Sequence, residues 1–207
     1  THWFGRLLLP LYHPGARALI HRSFANQTAD YYFVGETFRR LNKKRRNIAP
    51  VVRGSDAEWQ LVRYVLQRAQ CISNFRLHKI LYLTDVSALK SIGTRATSFL
   101  YLRQKDGPYC VELGSRWYQR FGNHLLIRKA NGQLMLEWRA NGLFDAPEDA
   151  VLDPRLTGVV NNVLQATGNL TDGQLKTKAY LTAPMKQFLK AEKAGQVTLN
   201  RPLLSSP

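Results

Sequence analysis

The sequence predicts an α+β fold: a mainly helical single domain with a small antiparallel sheet or hairpins, preceded by a basic N-terminal extension. Three observations lead to this prediction. Apolar residues recur at helical spacing in most segments that follow Gly54. Two apolar runs flank Ala130-Asn131-Gly132, which is a strong β-hairpin signal. Lysine and arginine are concentrated before Gly54, and Pro50 separates this basic stretch from the helical pattern that follows.

Two helices are expected directly after this boundary. Ser55 and Glu58 have the spacing of a capping box, which predicts the start of the first helix. The second helix is predicted from about Phe75 to Ser91 and ends at Gly93, with the connecting loop near residues 73–74. Apolar residues share one face of each helix: Trp59, Val62, Leu66 and Ala69 in the first, and Leu77, Ile80, Leu81, Thr84 and Ala88 in the second.

The middle of the chain predicts strands and turns. β-Branched and aromatic residues favour a strand over residues 97–103, and Asp106-Gly107-Pro108 predicts a turn after it. Residues 115–121 predict a short helix closed by Gly122. Residues 124–129 and 133–138 are the two strands of the predicted hairpin.

Three further helices are predicted towards the C-terminus. Asp153-Pro154 has the pattern of a cap followed by proline in the first turn, and this helix should stop near Gly168. Thr171 or Asp172 caps the next helix. The last one starts at Thr182-Ala183-Pro184 and runs to Gly195. The predicted organisation is therefore a basic extension over residues 1–54, a helical domain over 55–195 and a tail over 196–207.

The net charge of +16 points to a polyanionic partner, either nucleic acid or an acidic protein surface. The cations are concentrated in two zones, one before Ser55 and one after Asp172. The sharpest signal is a run that predicts one amphipathic basic helix, with Phe38 and Leu41 interleaved. Its cations are Arg39, Arg40, Lys43, Lys44, Arg45 and Arg46. This stripe can bind the phosphates of a nucleic acid or the carboxylates of a protein surface. A helix whose charges only face solvent would have the same pattern.

The residue types that carry catalysis do not converge in the sequence. The two cysteines, Cys71 and Cys110, lie far apart, and the five histidines are scattered without a metal-ligand spacing. Neither a Walker loop nor a GxGxxG motif occurs, and the Ser-based hydrolase motifs are also missing. We therefore expect no enzyme, no cofactor and no metal. The two thiols do not form a disulfide framework, which favours a reducing compartment. No clear signal-peptide cleavage site follows the short apolar run 7–11, so we expect a cytoplasmic protein.

Three blocks of the sequence resemble the Panacea or SocA-like antitoxin-associated domain family. The first is Leu77-His-Lys-Ile-Leu-Tyr82, which is similar to the family's Leu-x-Lys-Leu-Leu-Tyr signature. The second is Phe99 to Tyr109, where an aromatic strand precedes Gly107-Pro108. The third covers residues 170–189 and contains Tyr180-x-Thr182-x-Pro184-Met185. The resemblance implies a non-enzymatic protein that binds and neutralises a cognate toxin, or delivers it as an adaptor. The N-terminal segment would then supply contacts specific to the toxin.

These observations leave two hypotheses from different classes. The first is an antitoxin-like protein whose partner is a toxin or another acidic protein. The alternative is a nucleic-acid-binding regulator that binds with the two basic zones and the aromatic run 31–33. Candidate partner contacts in the domain itself flank the expected turn: Arg103, Lys105 and Tyr109. His78 and Asp85 have the spacing of a proton relay or of structural hydrogen bonds, and the second interpretation is favoured because no nucleophile lies near them.

Overall fold

The computed structural model describes residues 54–114, 117–130, 132–139 and 150–204. The predicted basic helix, with its six cations from Arg39 to Arg46, lies outside these ranges. The chain divides into two compact units. The larger consists of Val52–Phe188 and Pro202–Pro207, and the smaller of Thr1–Val51 and Leu189–Arg201. The mainly helical α+β class is confirmed. The predicted boundaries at residues 54 and 195 stay predictions.

Helix α1, Asp56–Ala69, starts where the capping box predicts it. The Ser55 hydroxyl accepts a hydrogen bond from the Glu58 amide, and the Glu58 carboxylate accepts one from the Ser55 amide. Two of the amides that lack an intrahelical partner at the helix start are thereby satisfied. The apolar face of α1 contributes Trp59, Val62 and Leu66 to the core.

Helix α2, Asn74–Ile92, is the centre of the larger unit. Ser73 caps its start by accepting a hydrogen bond from the Arg76 amide, and Gly93 ends it with a φ of 77°. Nine consecutive residues, 77–85, are buried. Because nine residues cover every face of a helix, α2 has to be enclosed by the rest of the unit rather than packed on one side.

A three-stranded antiparallel sheet lies on one side of α2. Its strands are β1, Cys71–Ser73, β4, Leu125–Ala130, and β5, Gln133–Trp138, in the order β1-β5-β4. The β4–β5 hairpin is the predicted one, with Ala130 paired to Gln133. The loop expected near residues 73–74 is not there, because Ser73 is the last residue of β1 and Asn74 begins α2. Three residues are too few to show an alternating pattern, so only the pairing with β5 defines this strand.

A second hairpin is formed by β2, Tyr101–Gln104, and β3, Gly107–Cys110. The predicted turn is displaced: the chain reverses at Lys105 and Asp106, while Gly107 and Pro108 already belong to β3. The predicted strand also begins later than residue 97. Thr97 is held instead by the side chain of α2's Asp85 and does not join a strand. The chain end 202–204 returns to β2, where the Leu203 amide donates to the Tyr101 carbonyl.

The remaining helices follow the predicted caps closely. Helix α3, Pro154–Gly168, is capped by Asp153. Helix α4, Asp172–Tyr180, is capped by Thr171 in a second capping box, and α5 is Ala183–Lys193. The predicted short helix is a 3-10 helix, Trp117–His124, interrupted by Gly122. In the smaller unit, the Thr198 hydroxyl donates to the Glu192 carboxylate.

Aromatic rings fill the core at the start of α1. The ring centroid of Trp59 lies 5.3 Å from that of Phe99 and 6.4 Å from that of Trp117. Phe121 makes edge-on contacts with both tryptophans. These contacts join α1 to the loop before β2 and to the 3-10 helix, so the aromatic cluster complements the enclosed α2 as a second centre of packing.

Gly107 combines a positive φ with a close approach, which gives a first prediction. Its φ is 92°, and a Cβ placed there would lie 2.8 Å from Cε1 of Tyr180. We expect Gly107→Ala to lower the free energy of unfolding by about 2–4 kcal/mol, since backbone strain and overpacking add. Gly93→Ala is the matched control, because its φ is 77° with nothing within 4 Å. Only about 1 kcal/mol is expected there.

Urea unfolding followed by tryptophan fluorescence measures both values. Equal losses for the two variants would show that the contact between Gly107 and Tyr180 contributes nothing to stability.

Candidate functional site

The polar groups of α2 form the candidate site, because Arg76, His78, Lys79 and Tyr82 bond to segments far away in sequence. Arg76 donates to the Thr167 and Leu170 carbonyls, both at 2.8 Å, and pairs with Asp172 at 3.1 Å. It therefore joins α2 to the junction of α3 and α4. Arg76 directly precedes the first block of the family resemblance, and its partners Leu170 and Asp172 lie at the start of the third.

His78 is buried and neutral. Its Nδ1 accepts a hydrogen bond of 3.0 Å from the Cys110 amide in β3, and its ring stacks on Tyr109 with centroids 4.5 Å apart. Because Nδ1 accepts, Nε2 carries the proton. Nδ2 of Asn74 lies 3.3 Å from Nε2, and because an amide N–H cannot accept this proton, the amide has to be turned so that Oδ1 faces Nε2. Burial, with the adjacent Lys79 charge, lowers the pKa of His78 to about 3.

Lys79 is a buried cation beside His78. Its Nζ donates to the Pro108 carbonyl at 2.9 Å and lies 4.4 Å from the centre of the Phe75 ring. Burial lowers the pKa of Lys79 to about 8, and nearby cations act in the same direction, whereas Asp106 opposes them. The side chain thus ties α2 to β3 while remaining close to further charges.

These further charges surround the β2–β3 turn and are called here the hairpin cluster. Lys176 of α4 pairs with Asp106 at 2.8 Å. The Tyr180 hydroxyl donates to the Lys105 carbonyl at 3.0 Å, and its ring is 5.4 Å from the Arg103 guanidinium. The cluster's members share contacts with this turn or with Tyr180: Lys79, Arg103, Lys105, Asp106, Lys176 and Tyr180.

Tyr82 connects α2 to the start of α5. Its hydroxyl lies 2.7 Å from Oγ1 of Thr182. The Thr182 hydroxyl donates to the Ala179 carbonyl. Thr182 therefore accepts from Tyr82, since its single proton is already used. Met185, which is fully buried, lies in the same segment. The Tyr-x-Thr-x-Pro-Met block thus packs against the helix that carries the first block.

Asp85 is a fully buried carboxylate at the opposite end of the same run. It accepts hydrogen bonds from the Thr97 amide at 2.7 Å and the Thr97 hydroxyl at 2.6 Å, and it pairs with Arg95 at 3.2 Å. Burial raises the pKa of Asp85, while its partners on Thr97 and Arg95 act in the opposite direction. These bonds hold the loop between α2 and β2 in place.

The structure brings together some of the site residues expected from the sequence and keeps others apart. His78 and Asp85 bond to separate partners, so their roles in the structure are those of structural hydrogen-bonding groups. Of the expected contact residues, Lys105 is exposed, Tyr109 is half-buried against His78, and Arg103 is 7% exposed. Lys176 and Tyr180 were missed as neighbours of the turn, because about seventy residues separate them from it and no local pattern reports such proximity.

Other kinds of site were also sought in the described ranges. No group of three or more histidine, cysteine, aspartate or glutamate side chains is placed there to hold a metal ion. None of the helices described is both long and apolar enough to cross a bilayer. No protein-family model matches the chain, nor does any curated protein or solved structure. The resemblance to the Panacea family therefore stays a prediction.

The lowered pKa of His78 predicts instability in mild acid. The folded pKa of about 3 is below the ordinary value of 6.5, so the unfolded chain takes up the proton first. The stability is fully present above pH 6.5 and falls by about 2 kcal/mol between pH 6.5 and pH 5. In His78→Asn, whose Oδ1 can replace Nδ1 as the acceptor for Cys110, this decrease should be absent.

Urea unfolding across this pH range provides the comparison. A parallel decrease in the wild type and in His78→Asn would show that His78 is not the group responsible.

Asp85 gives a third prediction. Asp85→Asn leaves the Arg95 cation without its charged partner inside the protein, and we expect a loss of about 3 kcal/mol or more at neutral pH. Asp106→Asn removes an exposed ion pair with Lys176, for which about 1 kcal/mol or less is expected. Thermal unfolding of both variants measures this contrast, which must vanish if the Asp85 contacts are unimportant.

Proposed function

We propose that this chain is an antitoxin-like protein that binds a partner protein and neutralises it by occlusion. The observation that carries this proposal is the meeting of all three Panacea-like blocks around α2. Lys79 of the first block donates to the Pro108 carbonyl in the second, and the His78 ring stacks on Tyr109 of the same block. Tyr82 of the first block bonds to Thr182 in the third. Side chains committed to such internal bonds suit a rigid recognition scaffold.

The charge distribution supports a division of labour. Residues 1–53 contain ten lysines and arginines against two acids, so half of the net charge of +16 lies in about a quarter of the chain. Complementary charge increases the rate of encounter and selects the partner more than it adds affinity. On this proposal the domain is a rigid scaffold, and the basic segment supplies contacts to an acidic toxin in the cytoplasm.

Two experiments test the proposal. The full-length chain is first used to capture partners from its native host, with and without nuclease. A single protein that remains bound after nuclease treatment is expected. The chain is then expressed together with that protein, whose toxicity to growth should be relieved. Capture of no protein after nuclease treatment, or unrelieved toxicity, would contradict the proposal.

A matched pair of charge variants defines the part played by the basic segment. Lys43, Lys44, Arg45 and Arg46 are replaced by Gln in one variant. In the control the same change is made at four exposed cations elsewhere: Arg68, Lys90, Lys129 and Arg155. The two variants have the same net charge. We expect about a tenfold or greater loss of partner association rate in the first variant alone. Equal losses would mean that overall charge is responsible.

A nucleic-acid-binding regulator is the second candidate. It is favoured by the two basic zones and by Tyr31, Tyr32 and Phe33, which precede the first one. Binding to duplex DNA, single-stranded DNA and RNA should then weaken steeply as salt rises, and neutralising residues 43–46 should reduce that slope. An absence of binding at low salt would exclude this candidate.

A further inference from the structure

Strand β4 lies at the edge of the three-stranded sheet. The order β1-β5-β4 pairs one side of β4 with β5, and in the described part of the chain no strand pairs with its other side. All six pairs from Leu125 to Ala130 follow one register, and β4 contains neither glycine nor proline. Bulges and prolines are two devices by which proteins block a strand edge. The outer side of β4, called here the β4 edge, has neither of them.

The hydrogen bonds of the hairpin show which backbone groups point to the β4 edge. The Arg139 amide donates to the carbonyl of His124, which directly precedes β4, so these two residues form a hydrogen-bonded pair. In an antiparallel ladder such pairs alternate with pairs that are not hydrogen-bonded. The outward amides and carbonyls of β4 are therefore those of Leu125, Ile127 and Lys129. Among the described residues, nothing bonds to these outward groups.

The side chains along the β4 edge carry an excess of positive charge. On one face of the sheet, Arg128 and Arg139 share the carboxylate of Glu137, at 3.5 and 3.6 Å. The two arginine side chains are 58% and 54% exposed, so both remain accessible. Lys129 lies on the other face, is exposed, and has no ion pair within the described ranges. Three cations thus share one carboxylate at this end of the sheet.

This combination of open backbone groups and positive charge selects the kind of partner. A second copy of the chain, with its net charge of +16, would bring its own Arg128 and Lys129 to the edge, where like charges repel. A nucleic acid has no peptide groups with which to continue the ladder of bonds. An extended peptide segment with carboxylate side chains satisfies both the outward backbone groups and the cations.

We propose that the β4 edge binds an extended acidic segment of the partner protein as a fourth strand of the sheet. This inference rests on the proposed function and adds the chemistry of the partner. The segment runs antiparallel to β4, because antiparallel pairing is the more stable arrangement. Its backbone supplies affinity and its side chains supply specificity.

The cross-strand neighbours set the order of residues in this segment. Two consecutive acidic residues come first, opposite Lys129 and Arg128. Two apolar residues follow, opposite Ile127 and Leu126, which are half-buried. The blocked peptide acetyl-Thr-Glu-Glu-Val-Ile-Thr-amide has this order and is the probe for the test.

Hydrogen exchange of the β4 amides reports directly on strand addition. The full-length chain is labelled with 15N, and the exchange of each amide with water is followed by NMR during titration with the peptide. With the peptide at about ten times its dissociation constant, exchange at Leu125, Ile127 and Lys129 should slow about tenfold. The β4 amides that already bond to β5 should be unaffected. This alternation distinguishes an added strand from any other contact with the surface.

Two methylated peptides test the ladder itself. The valine amide of the peptide should donate to the Ile127 carbonyl, whereas the isoleucine amide points away from β4. Methylation of the valine nitrogen removes this donor and adds a clash, so the affinity should fall about tenfold or more. Methylation of the isoleucine nitrogen is the matched control, with the same composition and charge, and should have a much smaller effect.

Two double variants test the charges. Arg128→Gln/Lys129→Gln removes both cross-strand ion pairs, and the affinity for the peptide should fall about tenfold. The matched control is Lys90→Gln/Arg155→Gln, which removes one exposed lysine and one exposed arginine outside the sheet. Its affinity should be unchanged.

Several results would overturn the inference. They are unchanged exchange in the presence of the peptide, equal slowing of all six β4 amides, and equal losses in the two double variants. Outward amides that are already protected in the free chain would show that another segment of this chain occupies the edge. If this protection disappeared on dilution, a second copy would be the occupant. Stronger protection by a thymidine oligonucleotide than by the peptide would favour nucleic acid instead.

The outcome can be separated from that of the proposed function. If the peptide adds to β4 but captured partners are not neutralised, the edge accepts acidic strands and the antitoxin proposal is wrong. Contacts made at the edge act after docking, so Arg128→Gln/Lys129→Gln should speed dissociation of the captured partner and not slow its association. If neutralisation occurs and its dissociation is unaffected by this variant, the partner docks elsewhere and this inference is wrong.

Discussion

The enclosure of α2 is the constraint on which the larger unit depends. A helix buried on every face over residues 77–85 needs partners for its polar groups, and within that run the Thr84 hydroxyl is the one side-chain group without a hydrogen bond among the described residues. His78, Lys79, Tyr82 and Asp85 all have partners on other segments. A neighbouring segment that shifted along α2 would leave one of these groups buried and unpaired. The polar groups therefore specify which segments pack around the helix, and in which register.

Enclosure of α2 also accounts for the lowered pKa values of His78 and Lys79. A buried lysine and a histidine of strongly lowered pKa are typical of active sites, but structural networks perturb pKa values in the same way. Here His78 bonds to a backbone amide and Lys79 to a backbone carbonyl of the same strand, β3. Both groups fix the hairpin on α2, and with it the charged turn.

The parts that could be predicted from the sequence are those encoded locally. Ser55, Asp153 and Thr171 cap their helices as expected, because a cap depends on residues within one turn. Strand β1 and the late start of β2 escaped prediction, since one depends on pairing with β5 and the other on the capture of Thr97 by Asp85. The hairpin cluster escaped for the same reason: Asp106 and Lys176 are 70 residues apart. Sequence patterns report faces of helices, whereas this cluster depends on how helices are assembled.

The bond between Tyr82 and Thr182 spans 100 residues and has a consequence for biosynthesis. The nascent chain leaves the ribosome with α2 long before the segment that covers it has been made. Until then an apolar helix with unmet polar groups is accessible to chaperones and proteases. We therefore expect the larger unit to fold late and cooperatively, after residues 170–185 have emerged.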